Sequence, residues 1–136
     1  MNTAQLRAFL DNAFPQVKDD FEILELGPMT ATIGMAITDR NLRPGGTVSG
    51  PSMFSLADVS FYLALMAMIG PKSLAVTTNC AIDFLRKPAA NTDIFAVATI
   101  HKLGRVLAVG QVLLYSKGQE APIAQANLTY SIPPRG

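Results

Sequence analysis

Hydrophobic positions along this chain follow two periodicities. Between Thr3 and Phe14, the residues Leu6, Phe9, Leu10, Ala13 and Phe14 recur at helical spacing. That predicts an amphipathic helix, capped by Thr3 and ended by Pro15. From Phe21 to Leu26 apolar and acidic residues alternate, the mark of a half-buried strand. Gly27-Pro28 signals a turn, and Thr30 to Thr38 reads as a second strand that pairs with the first. Asp39 to Gly46 is rich in turn formers and reads as a loop. The run Met53 to Ile69, MFSLADVSFYLALMAMI, breaks with both patterns. It is apolar nearly all round, between Gly50-Pro51 and Gly70-Pro71, and its only charge is Asp58. Its length and breakers predict a helix of about four to five turns. Such a helix has to be enclosed by other structure.

Strand signals dominate the rest. Leu74 to Lys87 places Val76, Thr78, Cys80, Ile82 and Phe84 on one predicted face. Asp93 to Leu103 and Arg105 to Lys117 follow, joined tightly at Gly104. Pro122 to Ile132 alternates cleanly, with Ala124, Ala126, Leu128, Tyr130 and Ile132 on one side. Strands interrupted by one buried helix argue an α+β fold with an antiparallel sheet curved around that helix. One domain is expected over residues 1–136. A single helix covers one sheet face, so the other face or an edge is expected to pair with a second copy.

Composition narrows the function. Apolar residues make up 49% and charged residues 15%, a surplus that suggests surface hidden between copies. The net charge of +1 points to neither nucleic acid nor an anionic membrane. With one cysteine, Cys80, and one histidine, His101, neither an internal disulfide nor a Cys/His metal site is expected. The first residues lack the pattern of a signal peptide. The buried helix is expected to fall short of a membrane span, so the expected location is the cytoplasm. His101 lacks neighbours for a Ser-His-Asp set.

The chemistry centres on Asp58. A carboxylate in an apolar helix is costly unless it is paired or used. Pro51, Phe54, Ser55, Phe61, Tyr62 and Leu65 share its helical face. A general base or nucleophile is one reading, and an acid bonded to hydroxyls or backbone is the other. The helix entrance, Gly45 to Pro51, offers free N–H groups and positive partial charge suited to an oxyanion. Gly50 permits close approach of a substrate oxygen, while Ser49 or Ser52 serves as cap in the simpler reading.

At these residues the chain resembles a known family. Pro44-Gly45-Gly46-Thr47-Val48-Ser49-Gly50-Pro51, with Phe54, Leu56, Ala57 and Asp58, is similar to the PaaI-type acyl-CoA thioesterases of the hotdog fold. Ala75 to Asn79, Asp83 to Ala89 and Ala124 to Tyr130 extend the likeness over roughly residues 20 to 132. The resemblance implies a helix wrapped by an antiparallel sheet, and dimers with sites at the subunit interface, often paired into tetramers. It implies Asp58 as general base or nucleophile and the Gly50 N–H as oxyanion donor. Three positions depart: Ser49 replaces the motif histidine, Pro51 replaces a glycine, and Arg43 replaces a polar amide.

The expected function is therefore hydrolysis of a small, medium-chain or aryl acyl-CoA, with no cofactor besides the coenzyme A thioester substrate itself. Ser49 is a candidate hydrogen-bond donor. Arg43 is a candidate for a substrate carboxylate or phosphate. Phe54, Phe61 and Tyr62 are candidates for the acyl group, and Thr77, Thr78 or Asn79, from a neighbouring strand of the same or the partner subunit, for orienting water. Arg86 and Lys87, with Lys102 and Arg105, are candidates for the coenzyme A phosphates. The alternative is a non-catalytic binder of acyl-CoA or a lipid-like ligand, since the motif histidine is absent. A hydratase using His101 ranks below both.

Overall fold

The computed structural model describes residues 1–17 and 19–134. Helix α1 (Thr3–Ala13) precedes strands β1 (Phe21–Gly27) and β2 (Thr30–Met35). A short hairpin, β3 (Leu42–Arg43) and β4 (Thr47–Val48), leads into helix α2 (Gly50–Ile69). Four long strands follow: β5 (Val76–Phe84), β6 (Ile94–Leu103), β7 (Leu107–Ser116) and β8 (Ala124–Ser131). Six strands form one antiparallel sheet in the order β1-β2-β6-β7-β8-β5. It wraps the central helix as the sequence pattern predicts.

Alternation explains the core. Ile94, Ala96, Ala98 and Ile100 on β6, with Ala108, Val112 and Leu114 on β7, face α2 and are buried. Ala124, Ala126, Leu128 and Tyr130 continue that face onto β8. Small residues dominate it, which lets the sheet approach a helix carrying Leu56, Phe61, Leu63, Leu65 and Met66, all fully enclosed. α1 covers a further flank of α2: Leu6 and Leu10 are buried, and Phe9 and Phe14 pack on Tyr62 with ring centroids 6.2 and 5.5 Å away.

Several boundaries differ from the sequence pattern. The α1 cap is Asn2, which accepts the Gln5 N–H while Gln5 reaches back to the Asn2 N–H. α2 starts at Gly50 and has 20 residues. That length and composition would suit a membrane span, contrary to expectation, but most of the helix is enclosed by the sheet. β2 ends at Met35, and the expected loop at Asp39–Gly46 contains part of the β3–β4 hairpin. Gly45 and Gly46 turn that hairpin at φ of 97° and 76°, values that favour glycine.

β5 departs most usefully. Its pairing with β8 shifts between Thr77 and Asn79, leaving Thr78 as the extra residue of a bulge. Thr77 therefore stands opposite buried Tyr130, and Cys80 opposite buried Leu128. The expected face of Val76, Thr78 and Cys80 is broken there: Thr77, not Thr78, points at the helix. β5 is also an edge strand, and Val76 and Phe84 are 56% and 52% exposed.

Gly110 on β7 is a place of close approach. A Cβ there would stand 2.2 Å from the Thr99 carbonyl oxygen and 2.5 Å from Phe61 Cε2. Phe61 needs that gap to lie flat against the sheet. Gly110→Ala is expected to cost about 3 kcal/mol through overpacking. Gly34→Ala, whose Cβ would meet only the flexible end of Leu24 at 3.2 Å, should cost far less. Urea midpoints of the two variants check the difference.

Candidate active site

The helix entrance is built first. Buried Thr47 and Val48 anchor the β3–β4 hairpin beneath α2. The Ser49 N–H donates to the Asn41 carbonyl at 2.7 Å, and Ser49 Oγ accepts the Ser52 N–H as helix cap. Asn41 Nδ2 also donates to Ser52 Oγ at 3.1 Å. Gly50 follows in the first turn, and its N–H meets no acceptor among the described residues. A cavity of about 610 Å³ opens there, lined by Arg43, Gly50, Met53, Phe84, Arg86 and Lys87 among others. No carboxylate lines it.

Asp58 lies two turns further along α2. Thr77 donates its hydroxyl to Asp58 Oδ1 at 2.6 Å, and the Tyr130 hydroxyl donates to the same oxygen at 2.7 Å. Both are short, as hydrogen bonds to a carboxylate are. Oδ2 accepts no hydrogen bond among the described residues. Burial holds the Tyr130 phenol well above its ordinary value, with the Asp58 carboxylate adding to the rise. Tyr130 is thus a donor at any working pH. The Cys80 thiol is pushed up by burial first and then by the same carboxylate. It stays a thiol beside Asp58, facing the helix as expected of a small, half-buried core residue.

The bulge in β5 makes this arrangement possible. Without the extra residue Thr78, strict alternation would not place both Thr77 and Cys80 on the helix side. Thr78 instead bonds the Thr129 carbonyl, and Asn79 sits exposed on the outer face. Of the three candidates for orienting water, only Thr77 meets Asp58 within one chain.

Other candidates also fall apart spatially. Ser49 is spent on the cap and lines a different cleft, with Asn41, Ser52 and Ser55. Phe61 is fully buried against Tyr130, their rings 5.4 Å apart. Tyr62 is core as well, its hydroxyl bonded to the Ser73 carbonyl at 3.3 Å. These two rings pack the interior rather than an acyl group. Phe54 is 40% exposed and remains available. Arg43, Arg86 and Lys87 share the Gly50 cavity. Within one chain Gly50 and Asp58 stand eight residues apart, about 12 Å along the helix. One thioester carbonyl cannot meet both.

Sequence reasoning missed Tyr130 as a partner of Asp58. Its signal was its place on the buried side of β8, where a phenol needs an acceptor. Asn41 was missed too, since nothing in the turn-rich run singled it out.

The Thioesterase superfamily profile matches residues 45–123, from the helix entrance to the start of β8. A crystal structure of a candidate thioesterase from Silicibacter sp. TM1040 is 50% identical and superposes with a TM-score of 0.92, covering 98% of this chain and 93% of that one. Zebra fish thioesterase superfamily member 2 is 26% identical, with a TM-score of 0.80, over 96% of this chain and 95% of its own. A variant of the phenylacetic acid degradation protein PaaI from Thermus thermophilus is 28% identical, with a TM-score of 0.74, over 88% and 99%. A candidate esterase from Deinococcus radiodurans is 29% identical over 101 residues, which span 74% of this chain and 66% of that protein. The fold and the helix-entrance motif define a hotdog thioester hydrolase. The chain belongs to the thioesterase superfamily, on its PaaI-like side.

Burial also pushes the Tyr62 phenol up from its ordinary value near 10 to about 12. Between those values the folded state keeps a proton that the unfolded chain has released. Stability therefore falls as pH rises from about 10 towards 12. Tyr62→Phe is expected to make that fall shallower, read from urea midpoints at a series of alkaline pH values.

Proposed function

We propose that the chain is an acyl-CoA thioesterase whose active sites form between two copies of it. The observation that carries this reading is the placement of two half-sites along one unpaired edge strand. Asp58 is bonded to Thr77 near one end of β5, and Gly50 packs beside Phe84 at the other. Antiparallel pairing of β5 with its copy, Cys80 opposite Ala81, sets Thr77 of one chain opposite Phe84 of the other. Asp58 of one copy then faces Gly50 of the second, twice per dimer. Two such dimers can be joined through the outer sheet face without changing the site, so a dimer and a dimer of dimers both satisfy it.

The chemistry follows from these groups. Thr77 and Tyr130 fix Oδ1, so Oδ2 is the oxygen that takes a proton from water or attacks the acyl carbon. The thioester carbonyl oxygen lies on the Gly50 N–H at the positive end of α2, where its developing charge is stabilised. Arg43 adds positive potential on the same side. Phe54 and Phe84 supply apolar surface for a small, medium-chain or aryl acyl group. Thiol and carboxylate leave as products. Arg86 and Lys87 meet phosphates of the coenzyme A.

One observation favours a second reading, a binder of acyl-CoA without turnover. Ser49 stands at the motif histidine and is occupied in capping, so no side chain there reaches the carbonyl. Tight acyl-CoA binding without thiol release would select it.

Thiol release from a panel of acyl-CoAs tests the reading. Asp58→Ala and Asp58→Asn are each expected to lower kcat by about a thousandfold. Undiminished release in both removes Asp58 from the mechanism. Mixing inactive Asp58→Ala with inactive Gly50→Val chains, unfolded and refolded together, should restore about a quarter of wild-type activity through hybrid dimers. No recovery in confirmed hybrids would place the whole site within one chain.

A further inference from the structure

The cavity at the helix entrance carries more positive charge than a neutral acyl group would need. The β3–β4 hairpin supplies one wall, with Arg43, and the end of β5 supplies the other, with Phe84, Arg86 and Lys87. Gly50 and Met53 of α2 lie between them. None of the three cations has an ion-pair partner among the described residues. The sequence explains this. No Asp or Glu occurs between Asp39 and Asp58, or between Asp83 and Asp93, and every lining residue comes from those two stretches. A cavity with apolar walls and charge of one sign focuses its field on an anion.

Arg43 starts from a fixed backbone. It pairs with buried Thr47 across the hairpin. The Gly46 N–H closes the turn on the Arg43 carbonyl at 3.1 Å, and the Asn91 N–H ties Gly46 to the chain beyond β5 at 2.9 Å. Thr47 is three residues before Gly50, so Arg43 is anchored on the hairpin side of the oxyanion donor.

The planar thioester carbon divides the cavity between its substituents. Its oxygen lies on the Gly50 N–H. Its sulfur leads into the coenzyme A arm, which runs to Arg86 and Lys87 on the β5 wall. The acyl group diverges from the sulfur and takes the hairpin wall, where Arg43 stands. A neutral acyl group there would strip water from the guanidinium and offer no acceptor in return. A carboxylate matches the guanidinium fork with two parallel hydrogen bonds. The methylenes that carry it pass Met53 and Phe84, which are apolar.

We propose that the acyl group of the substrate ends in a carboxylate, making the substrate the coenzyme A monothioester of a dicarboxylic acid, and that Arg43 binds that carboxylate. The inference rests on the thioesterase reading and narrows it from acyl-CoA in general to anionic acyl groups. Arg43 becomes the residue that sets specificity, both by binding the anion and by rejecting neutral chains. The roles of Asp58 and Gly50 are unchanged.

Paired substrates test this. Glutaryl-, adipyl- and pimeloyl-CoA are each compared with the monomethyl ester of the same acyl group. The coenzyme A is identical within a pair, so its phosphate contacts cancel in the ratio of kcat/KM values. In wild type at least one diacid is expected to exceed its ester by about tenfold or more, the worth of a charge-assisted contact. Arg43→Gln should cut that ratio by about tenfold or more, whereas Arg86→Gln should lower both members of a pair alike. A wild-type ratio near one overturns the proposal. So does a ratio that survives in Arg43→Gln, or one lost equally in Arg86→Gln. If no acyl-CoA releases thiol, the thioesterase reading fails by itself. Calorimetry with adipyl-CoA and its methyl ester then decides the role of Arg43: tighter binding of the diacid by wild type, lost in Arg43→Gln, upholds it, and equal binding of the two refutes it.

Discussion

Enclosure of α2 is the constraint on which the other features depend. A 20-residue helix whose only charged side chain is Asp58 and whose centre is almost wholly apolar is stable in water only when most of its circumference is covered. The sheet covers most of it and α1 covers a further flank. Small residues on β6, β7 and β8 let the strands close in, and Gly110 makes room for Phe61, the largest fully buried side chain on the helix. What the monomer leaves uncovered is the strip beside β5, where Phe54 and part of Asp58 reach the surface.

Asp58 is tolerated at the boundary of that enclosure because two hydroxyls meet it there. Among the described residues no guanidinium or ammonium group pairs with its carboxylate. One oxygen is bound, and the other accepts no hydrogen bond among the described residues. The same boundary separates two kinds of chemistry on a single helix. The N-terminal end gathers positive potential from the helix dipole and from Arg43, Arg86 and Lys87. The middle carries the lone acid.

Periodicity made the architecture legible. Helical spacing in α1, the enclosed apolar run of α2 and the alternation of β8 needed no knowledge of contacts. The acid and the helix-entrance glycine were legible because each is an expensive or permissive residue in an odd place. Other parts were not. Thr77 reaches Asp58 only because a bulge displaces Thr78, and no local pattern in Ala75 to Asn79 announces an inserted residue. Phe61 and Tyr62 share the helical face of Asp58, yet α1 and β8 close over them, a tertiary fact that helical spacing cannot contain. The cap role of Ser49 was readable, but its exclusion from the Gly50 cavity depended on how Asn41 and Ser52 hold it.

The free edge of β5 has a consequence for how such a chain assembles. A long strand with one side unsatisfied is a template for endless stacking into fibres. In the proposed dimer, head-to-head docking about a rotation axis is self-limiting at this edge: each copy consumes the other's open β5 ladder. The bend introduced at Thr78 further discourages a flat, propagating register.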